Sequence, residues 1–240
     1  MAETVVTEET VARLLLYRFL ARGYTYPDPA LLEVLLTDEV WDEMQAADET
    51  LSLRAGQTIV DMRAFVSQYA GDSETLLTDL QIEHTYLFIN AVPRVPAPPY
   101  ESAYAGQGRL MGEPVSQVLQ TYREAGLDMR QDYEALPDHI AAEAEFMSYL
   151  VQQAAEASQS GDGEVAEIWQ ARQRAFLAEH LLRWGPPFLA KVATSARQPF
   201  YRLLATVTET FLYAEARRLG VTACTRSLHS RRRTWQRQCS

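Results

Sequence analysis

Two stretches of this sequence carry residue types whose spacing suits the binding of a ligand. The first reads Ala97-Pro98-Pro99-Tyr100-Glu101-Ser102-Ala103-Tyr104. Its prolines, with Pro93 and Pro96 before them, fix φ and remove backbone donors, so the segment is neither a helix interior nor a central strand. A stiff loop that bears tyrosines suits the wall of a recognition groove, and an ordinary proline-rich connection is the alternative.

The second stretch places Asp138 and His139 close to Glu143 and Glu145. Asp138 follows Pro137 at the predicted start of a helix, where its carboxylate can cap the helix or complement the helix dipole. His139 and Glu143 are four positions apart and therefore share a helix face. Such a histidine can change charge near neutral pH and meet a cationic peptide. The alternative is a capping aspartate beside a packed, hydrogen-bonded histidine.

Patterns typical of catalysis or metal binding do not occur in the sequence. It has no Glu-x-x-His pair, no Cys-x-x-Cys spacing and no Gly-Lys-Ser/Thr phosphate loop, since Lys191 is the only lysine. Ser102 has no partner in the sequence pattern that would act as its base. The sequence therefore predicts a protein that is not an enzyme, with no catalytic residue, no metal site and no resident cofactor.

Charge is distributed unevenly along the chain. The whole sequence has 22 basic and 32 acidic side chains. Seven arginines and no acid fall in residues 217–240, which leaves 15 basic and 32 acidic residues in 1–216, a balance of −17. An acidic body disfavours nucleic acid and favours cationic ligands such as arginine-bearing peptides, although acidity also serves solubility alone. With no signal peptide and no apolar run of about 20 residues, a cytoplasmic protein without stable membrane insertion is expected.

Helical periodicity dominates the sequence and no alternating β pattern of useful length occurs, so an all-α protein is predicted. A proline-containing break is expected at Gly185-Pro186-Pro187, before a short helix at 187–195. The first helix is expected to end near Gly23, and a second is expected to start near residue 28. Further helices are expected to cover about 50–70, 73–89, 114–126, 136–158, 164–184 and 198–219. The predicted organisation is one helical domain over 1–216, with helices in 1–90 and 114–216 on either side of a proline-rich hinge or loop at 91–113, and an Arg-rich tail at 217–240.

Taken in order, four segments resemble the TorD/DmsD/NarJ family of redox-enzyme maturation chaperones. They are Glu83-His84-Thr85-Tyr86-Leu87-Phe88, the 97–104 segment, Leu136-Pro137-Asp138-His139-Ile140 with its continuation to Met147, and His180-Leu181-Leu182-Arg183-Trp184 with Phe188. The most specific blocks are Pro-Pro-Tyr-Glu-Ser-x-Tyr and Pro-Asp-His-Ile-x-x-Glu-x-x-Phe-Met, and the likeness extends from about residue 10 to 215. It implies a single globular helical bundle of the TorD/DmsD-like type, with about eight to ten helices.

The resemblance also implies a function and a set of site residues. Members bind the N-terminal twin-arginine signal peptide of the apo-form of a molybdenum-cofactor oxidoreductase of the DMSO reductase family, and hold that enzyme for cofactor insertion before export. An arginine pair followed by an apolar stretch needs carboxylates beside an apolar, aromatic-rimmed groove. Carried over by motif, the predicted peptide-binding residues are Tyr86, Phe88, Pro98, Pro99, Tyr100, Glu101, Ser102, Tyr104, Asp138, His139 and Glu143.

The sequence leaves two alternative functions open. One is an assembly chaperone of the NarJ type, whose nitrate-reductase-like client stays in the cytoplasm. Another is a guanine-nucleotide-dependent assembly enzyme. Members of the family have been linked to guanine nucleotide and to molybdopterin cofactor, but no residue pattern supports either here, and the missing phosphate loop argues against the enzyme. The expected state is a monomer or a homodimer that exchanges segments about a hinge such as 185–187.

Overall fold

A computed structural model of the protein describes residues 7–105, 112–128 and 136–222. In these ranges the secondary structure is helical, and the only extended pairing is an isolated antiparallel bridge between Tyr100 and His139. The predicted all-α class is confirmed. The predicted Arg-rich tail lies outside the described residues from 223 onward, and so does the 106–111 part of the predicted hinge or loop.

The helices form a bundle in which two π-helical turns interrupt the α-helical spacing. One turn, Thr85–Ile89, extends α5, and the other, Leu177–Leu181, joins α9 to α10 without a break. Taking that continuous helix as one gives ten helices in the described ranges. The bounds are α1 Glu8–Tyr24, α2 Pro29–Leu35, α3 Asp38–Leu51, α4 Gly56–Ser67, α5 Ser73–His84, α6 Ser102–Ala105, α7 Glu113–Glu124, α8 Ile140–Gln159, α9 Gly163–Phe176, α10 Leu182–Ser195 and α11 Pro199–Arg218.

Short polar side chains set the starts of four helices. Thr7, Asp28, Asp72 and Asp162 each accept a hydrogen bond from the backbone N–H three residues later, which satisfies a donor that the helix itself leaves free. Prolines stand in the first turn of α2, α7 and α11, where the missing N–H costs nothing. These local signals are readable in the sequence, and they explain why most predicted helix starts agree with the structure.

Helix α8 runs through the middle of the bundle. It packs against α1 and α9, while α11 packs against α10 and α4. One hydrophobic cluster includes buried side chains of nearly every helix, with Leu16, Met147, Trp184, Phe188 and Phe211 among those that are fully enclosed. The two ends of α8 therefore lie at opposite ends of a common core, and each end carries its own group of polar residues.

Two sequence predictions about helices were wrong. The expected helix at about 50–70 is the shorter α4, which starts only at Gly56 because Ser52 and Arg54 adopt positive φ angles of 52° and 67°, and the preceding helix α3 was not predicted. The expected break at Gly185-Pro186-Pro187 is absent, and both prolines lie inside α10. A proline ring crowds the carbonyl four residues earlier, and here those carbonyls follow directly on the π turn, where the helix is wider.

Candidate functional site

The two stretches singled out in the sequence lie side by side in the structure. The backbone N–H of Ile140 donates to the Pro99 carbonyl over 3.0 Å, and that of Glu101 donates to the Asp138 carbonyl over 2.9 Å. Prolines keep the 97–100 segment extended, so its carbonyls are available to the start of α8. The ring of Tyr100 also meets the ring of His139 edge-on, with centroids 5.1 Å apart.

The start of α8 is capped by His139, not by Asp138. The His139 Nδ1 accepts from the N–H of Ala141 over 3.1 Å, whereas the Asp138 Oδ2 accepts from the N–H of Ser102 over 2.8 Å. The expectation that Asp138 caps this helix was therefore wrong, because its carboxylate turns to the first residue of α6. Burial lowers the pKa of His139 to about 3, so this imidazole is neutral near neutral pH. Of the two interpretations that the sequence allowed for His139, the structure therefore contains the packed, hydrogen-bonded histidine.

Three buried carboxylates meet at this junction. Glu101, Asp138 and Glu143 are each at most 1% exposed. Each uses one oxygen for a hydrogen bond: Glu101 Oε2 is 2.7 Å from His180 Nδ1, Asp138 Oδ2 binds Ser102, and Glu143 Oε2 accepts from Trp184 Nε1 over 3.0 Å. Burial, and then the negative charge of Glu101, raise the pKa of Glu143 well above its usual range.

The second oxygen of each carboxylate has no hydrogen-bond partner within the described ranges. These atoms are Glu101 Oε1, Asp138 Oδ1 and Glu143 Oε1, and two neighbouring hydroxyls, those of Ser102 and Tyr104, share this condition. Buried polar atoms without a hydrogen-bond partner are uncommon in native proteins, and five in one place call for an explanation. We refer to Glu101, Ser102, Tyr104, Asp138 and Glu143 as the carboxylate cluster.

His180 and Trp184 complete the cluster, and the motif-based site prediction did not include them. His180 lies in the π turn and Trp184 stands four residues later in α10, so both side chains project toward the carboxylates. Their sequence signal was present, because the His180–Trp184 segment belongs to the family resemblance. Nothing in the sequence pattern says that these residues face acids 79 and 41 positions earlier in the chain.

Aromatic side chains surround the cluster. Tyr104 is partly buried, and its ring centroid lies 5.7 Å from that of Trp184 and 6.1 Å from that of Phe188. The Lys191 Nζ is 4.5 Å from the Tyr104 ring centroid. Phe88 is buried and touches the same group through Phe188, at 6.1 Å between centroids. The wall beside the carboxylates is therefore apolar and aromatic.

Not all predicted site residues have the same exposure. Tyr86, Pro98 and Tyr100 are partly exposed, whereas Pro99 is buried. Tyr86 contacts a different polar group: the Arg197 guanidinium lies 3.5 Å from its ring centroid and also binds the buried Glu83 over 3.1 Å. The structure thus joins the 97–104 and 138–143 residues directly, and places Tyr86 beside Arg197.

The described residues contain no group of three or more His, Cys, Asp or Glu side chains arranged to hold a metal ion. In the same ranges, no helix combines the length and the apolar character that a membrane span requires.

Comparison with known proteins gives a consistent set of relatives. A profile of the nitrate reductase delta subunit family matches residues 48–190. A chaperone protein TorD of Photobacterium profundum is 31% identical over 166 residues, which are 66% of this chain and 75% of that protein. A TorD of Vibrio cholerae is 30% identical over 117 residues, 49% of this chain and 51% of that protein. A perchlorate reductase assembly chaperone protein of Dechloromonas aromatica is 26% identical over 216 residues, 86% of this chain and 89% of that protein.

Proposed function

The chain belongs to the nitrate reductase delta subunit family, that of the TorD/DmsD/NarJ maturation chaperones, and on that premise we propose that it is a chaperone in the maturation of a molybdenum-cofactor reductase. It binds the N-terminal twin-arginine leader of the apo catalytic subunit in the cytoplasm. By holding that subunit, it delays export until the cofactor is inserted. Its relatives carry the names chaperone and assembly chaperone, which supports action by binding and not by catalysis.

The observation that carries this proposal is the set of three buried carboxylates with one unpaired oxygen each. A guanidinium presents five N–H donors in a rigid plane and has no acceptor, so it matches a site in which three carboxyl groups each present an unpaired oxygen. Hydrogen bonds between a guanidinium and a carboxylate are also about twice as strong as neutral ones. An arginine of the leader therefore supplies donors to the unpaired oxygens of Glu101, Asp138 and Glu143, and its positive charge favours ionisation of Glu143, which burial disfavours in the free protein.

Access to these oxygens requires a local movement, because the carboxylates are buried. The segment that covers them, 97–105, is held to α8 by the bonds Ile140 to Pro99, Glu101 to Asp138 and Ser102 to the Asp138 carboxylate. The segment is also tied to the two π turns, by the N–H of Ala97 to the Leu87 carbonyl over 3.0 Å and by Glu101 to His180, and α6 within it is only four residues long. We expect this segment to separate from α8 when a leader binds, with Tyr100 and Tyr104 contacting the apolar part of the peptide.

The excess of acids over the body of the chain supports the same ligand. The balance of −17 in residues 1–216 attracts a cationic leader over a distance of about one Debye length, roughly 8 Å at physiological salt. Association should therefore slow as salt is added. A bound arginine in the buried cluster is screened much less, so salt should change the association rate more than the dissociation rate.

Isothermal calorimetry with a synthetic twin-arginine leader peptide of a molybdenum-cofactor reductase from the same organism tests the proposal. Three peptides are compared: the native Arg-Arg form, a Lys-Lys form and an Ala-Ala form. We expect the Arg-Arg peptide to bind at least tenfold more tightly than the Lys-Lys form, because an ammonium cannot make bidentate contacts. Equal affinities for the Arg-Arg and Ala-Ala peptides would remove the carboxylate cluster from leader recognition.

A second candidate is favoured by the description of the matching family, nitrate reductase delta subunit. In that case the client is a nitrate-reductase-like catalytic subunit that stays in the cytoplasm and has no functional export leader. Pull-down of the apo catalytic subunit with and without its first residues separates the two cases. Capture that survives deletion of the leader favours the second candidate.

A further inference from the structure

A polar cavity of about 230 Å³ lies at the C-terminal end of α8, away from the carboxylate cluster. One water molecule takes about 30 Å³ in the liquid, so the cavity holds more than a single water. It is enclosed by the start of α1, the end of α8, the middle of α9 and the end of α11. Its lining residues are Thr7, Thr10, Arg13, Val151, Ala154, Ala155, Ser158, Gln159, Gln170, Gln173, Arg174, Arg218 and Leu219.

The charge of this lining is opposite to that of the chain. Three arginines line the cavity and, among the described residues, no acid does. The whole chain has 32 acidic against 22 basic side chains. By composition alone, the charged residues of a cavity would be expected to include more acids than arginines. The other polar lining residues are threonine, serine and glutamine, which can all donate hydrogen bonds.

Arg13 is the most constrained of the three arginines. It is 5% exposed, and its Nε and Nη2 bind the two carboxylate oxygens of Glu215 over 2.8 and 2.7 Å. The Nη2 also binds Gln173 over 2.7 Å. Its Nη1 makes no hydrogen bond within the ranges that the structure describes. A nearly buried guanidinium that lines a cavity thus keeps one nitrogen, with two N–H donors, for a ligand.

The other two arginines are held less completely. The Arg218 Nε lies 2.5 Å from Glu9 Oε1, which orients the guanidinium through one of its three nitrogens. Arg174 is 4.0 Å from Glu167, beyond hydrogen-bond distance. Glu9 and Glu215 thus offset part of the positive charge from outside the lining, and N–H donors of all three arginines remain available.

We propose that this cavity binds a small oxyanion, namely a phosphate group, either free or at the end of a small phosphate ester. Arginine is the preferred residue for phosphate because its fork of donors matches two oxygens at once. The hydroxyls of Thr7 and Thr10 are 2.9 Å apart at the start of α1, where a helix favours negative charge. The site is separate from the carboxylate cluster and is independent of leader binding.

The test is calorimetric titration of the full chain with inorganic phosphate at constant ionic strength, with chloride as the reference anion. Arg174→Gln removes a cavity arginine that is partly exposed and has no buried partner. Arg172→Gln is the matched control, since Arg172 is on the same helix, is also partly buried and does not line the cavity. We expect Arg174→Gln to weaken phosphate binding about tenfold and Arg172→Gln to leave it within twofold.

A parallel titration with glycerol phosphate distinguishes the two sources of the phosphate group. Tighter binding of the ester assigns the site to an organic phosphate, and tighter binding of the free ion assigns it to inorganic phosphate. Heat that is the same for phosphate and chloride would overturn the proposal. Equal losses in Arg172→Gln and Arg174→Gln would also overturn it, because they would reflect general surface charge.

Discussion

The two ends of α8 treat buried charge in opposite ways. At the C-terminal end, Arg13 and Glu215 form a bidentate ion pair, and Tyr17 and Gln173 add further hydrogen bonds. At the N-terminal end, Glu101, Asp138 and Glu143 are buried together, and no arginine or lysine of the described ranges is bonded to any of them. The C-terminal end pairs its buried acid, Glu215, within the chain, and the N-terminal end leaves one oxygen of each of three buried acids unpaired.

This difference has an energetic meaning. A buried acceptor without a donor costs about 1–3 kcal/mol, so an unpaired group of this kind lowers stability unless something outside the chain pairs with it. At the other end, both carboxylate oxygens of Glu215 are satisfied within the fold, by Arg13 and Tyr17, so this buried acid needs no ligand. The comparison therefore separates a polar group that belongs to the architecture from one that fits a binding role. Four experiments test this difference between the two ends of α8.

The largest effect is expected for Arg13→Ala at the C-terminal end of α8. The substitution leaves Glu215 buried without its cation, which typically costs about 3–5 kcal/mol. Urea unfolding at pH 7 measures the loss. The double variant Arg13→Met with Glu215→Leu is the control, because a similar apolar volume without charge should recover most of the stability. If the double variant is as unstable as the single one, the pair is not an isolated structural unit.

The second-largest effect is expected for His139→Asn at the N-terminal end of α8. Unfolded histidine takes up a proton below about pH 6.5, while folded His139 stays neutral until about pH 3, so the wild type loses stability as pH falls through this window. Asparagine keeps the helix cap and removes this titration. Between pH 6.5 and 5 the variant should lose about 2 kcal/mol less than the wild type. Parallel pH profiles in urea unfolding would contradict the burial of His139.

A smaller effect of opposite pH dependence is expected for Glu143→Gln. Because the folded pKa of Glu143 is raised, the unfolded chain ionises first, and wild-type stability falls as pH rises above about 4.5. The amide keeps an acceptor for the bond from Trp184 and removes the buried group that ionises. We expect a gain of roughly 1 kcal/mol at pH 8 that vanishes near pH 4.5. Glu156→Gln, an exposed acid on the same helix, should leave the profile unchanged.

The smallest effect is expected for Tyr100→Ala. Tyr100 is partly exposed beside the carboxylate cluster, so its loss should weaken the leader peptide about fivefold in calorimetry with little change in melting temperature. Tyr213→Ala is the matched control, since Tyr213 is also partly exposed but lies on α11 toward the Arg13 end. A large drop in melting temperature with unchanged peptide affinity would make Tyr100 a packing residue only.

The sequence predicted the elements of this molecule better than their exact ends. Helical periodicity and the capping residues Asp28, Asp72 and Asp162 are local signals, and the all-α class and the family followed from local signals and motif order. The division between α3 and α4 depends on positive φ angles at Ser52 and Arg54, for which neither residue type is diagnostic. The continuous helix through Pro186 and Pro187 runs against the ordinary propensity of proline.

The candidate site was predictable in part. The order of the motifs placed the proline-rich segment near the start of α8, and the structure brings Pro99 and Ile140 into direct contact. The roles within it were not readable, because Asp138 and His139 both have side chains that can cap a helix and only packing decides which one does. His180 and Trp184 were missed as site residues because their partners are distant in sequence. That all eleven predicted residues bind a peptide stays a prediction.

Because the π turn at Leu177–Leu181 joins α9 to α10, the number of residues in this continuous helix determines which side chains of α10 face the carboxylate cluster. Deleting a single residue there would restore ordinary α-helical spacing and rotate everything after it by about 100° relative to α9. Trp184 would then leave Glu143, and Lys191 would leave the ring of Tyr104, in one step and without any change of residue type. A sequence alignment that misplaces a one-residue gap in this turn would therefore pair residues whose side chains point in different directions.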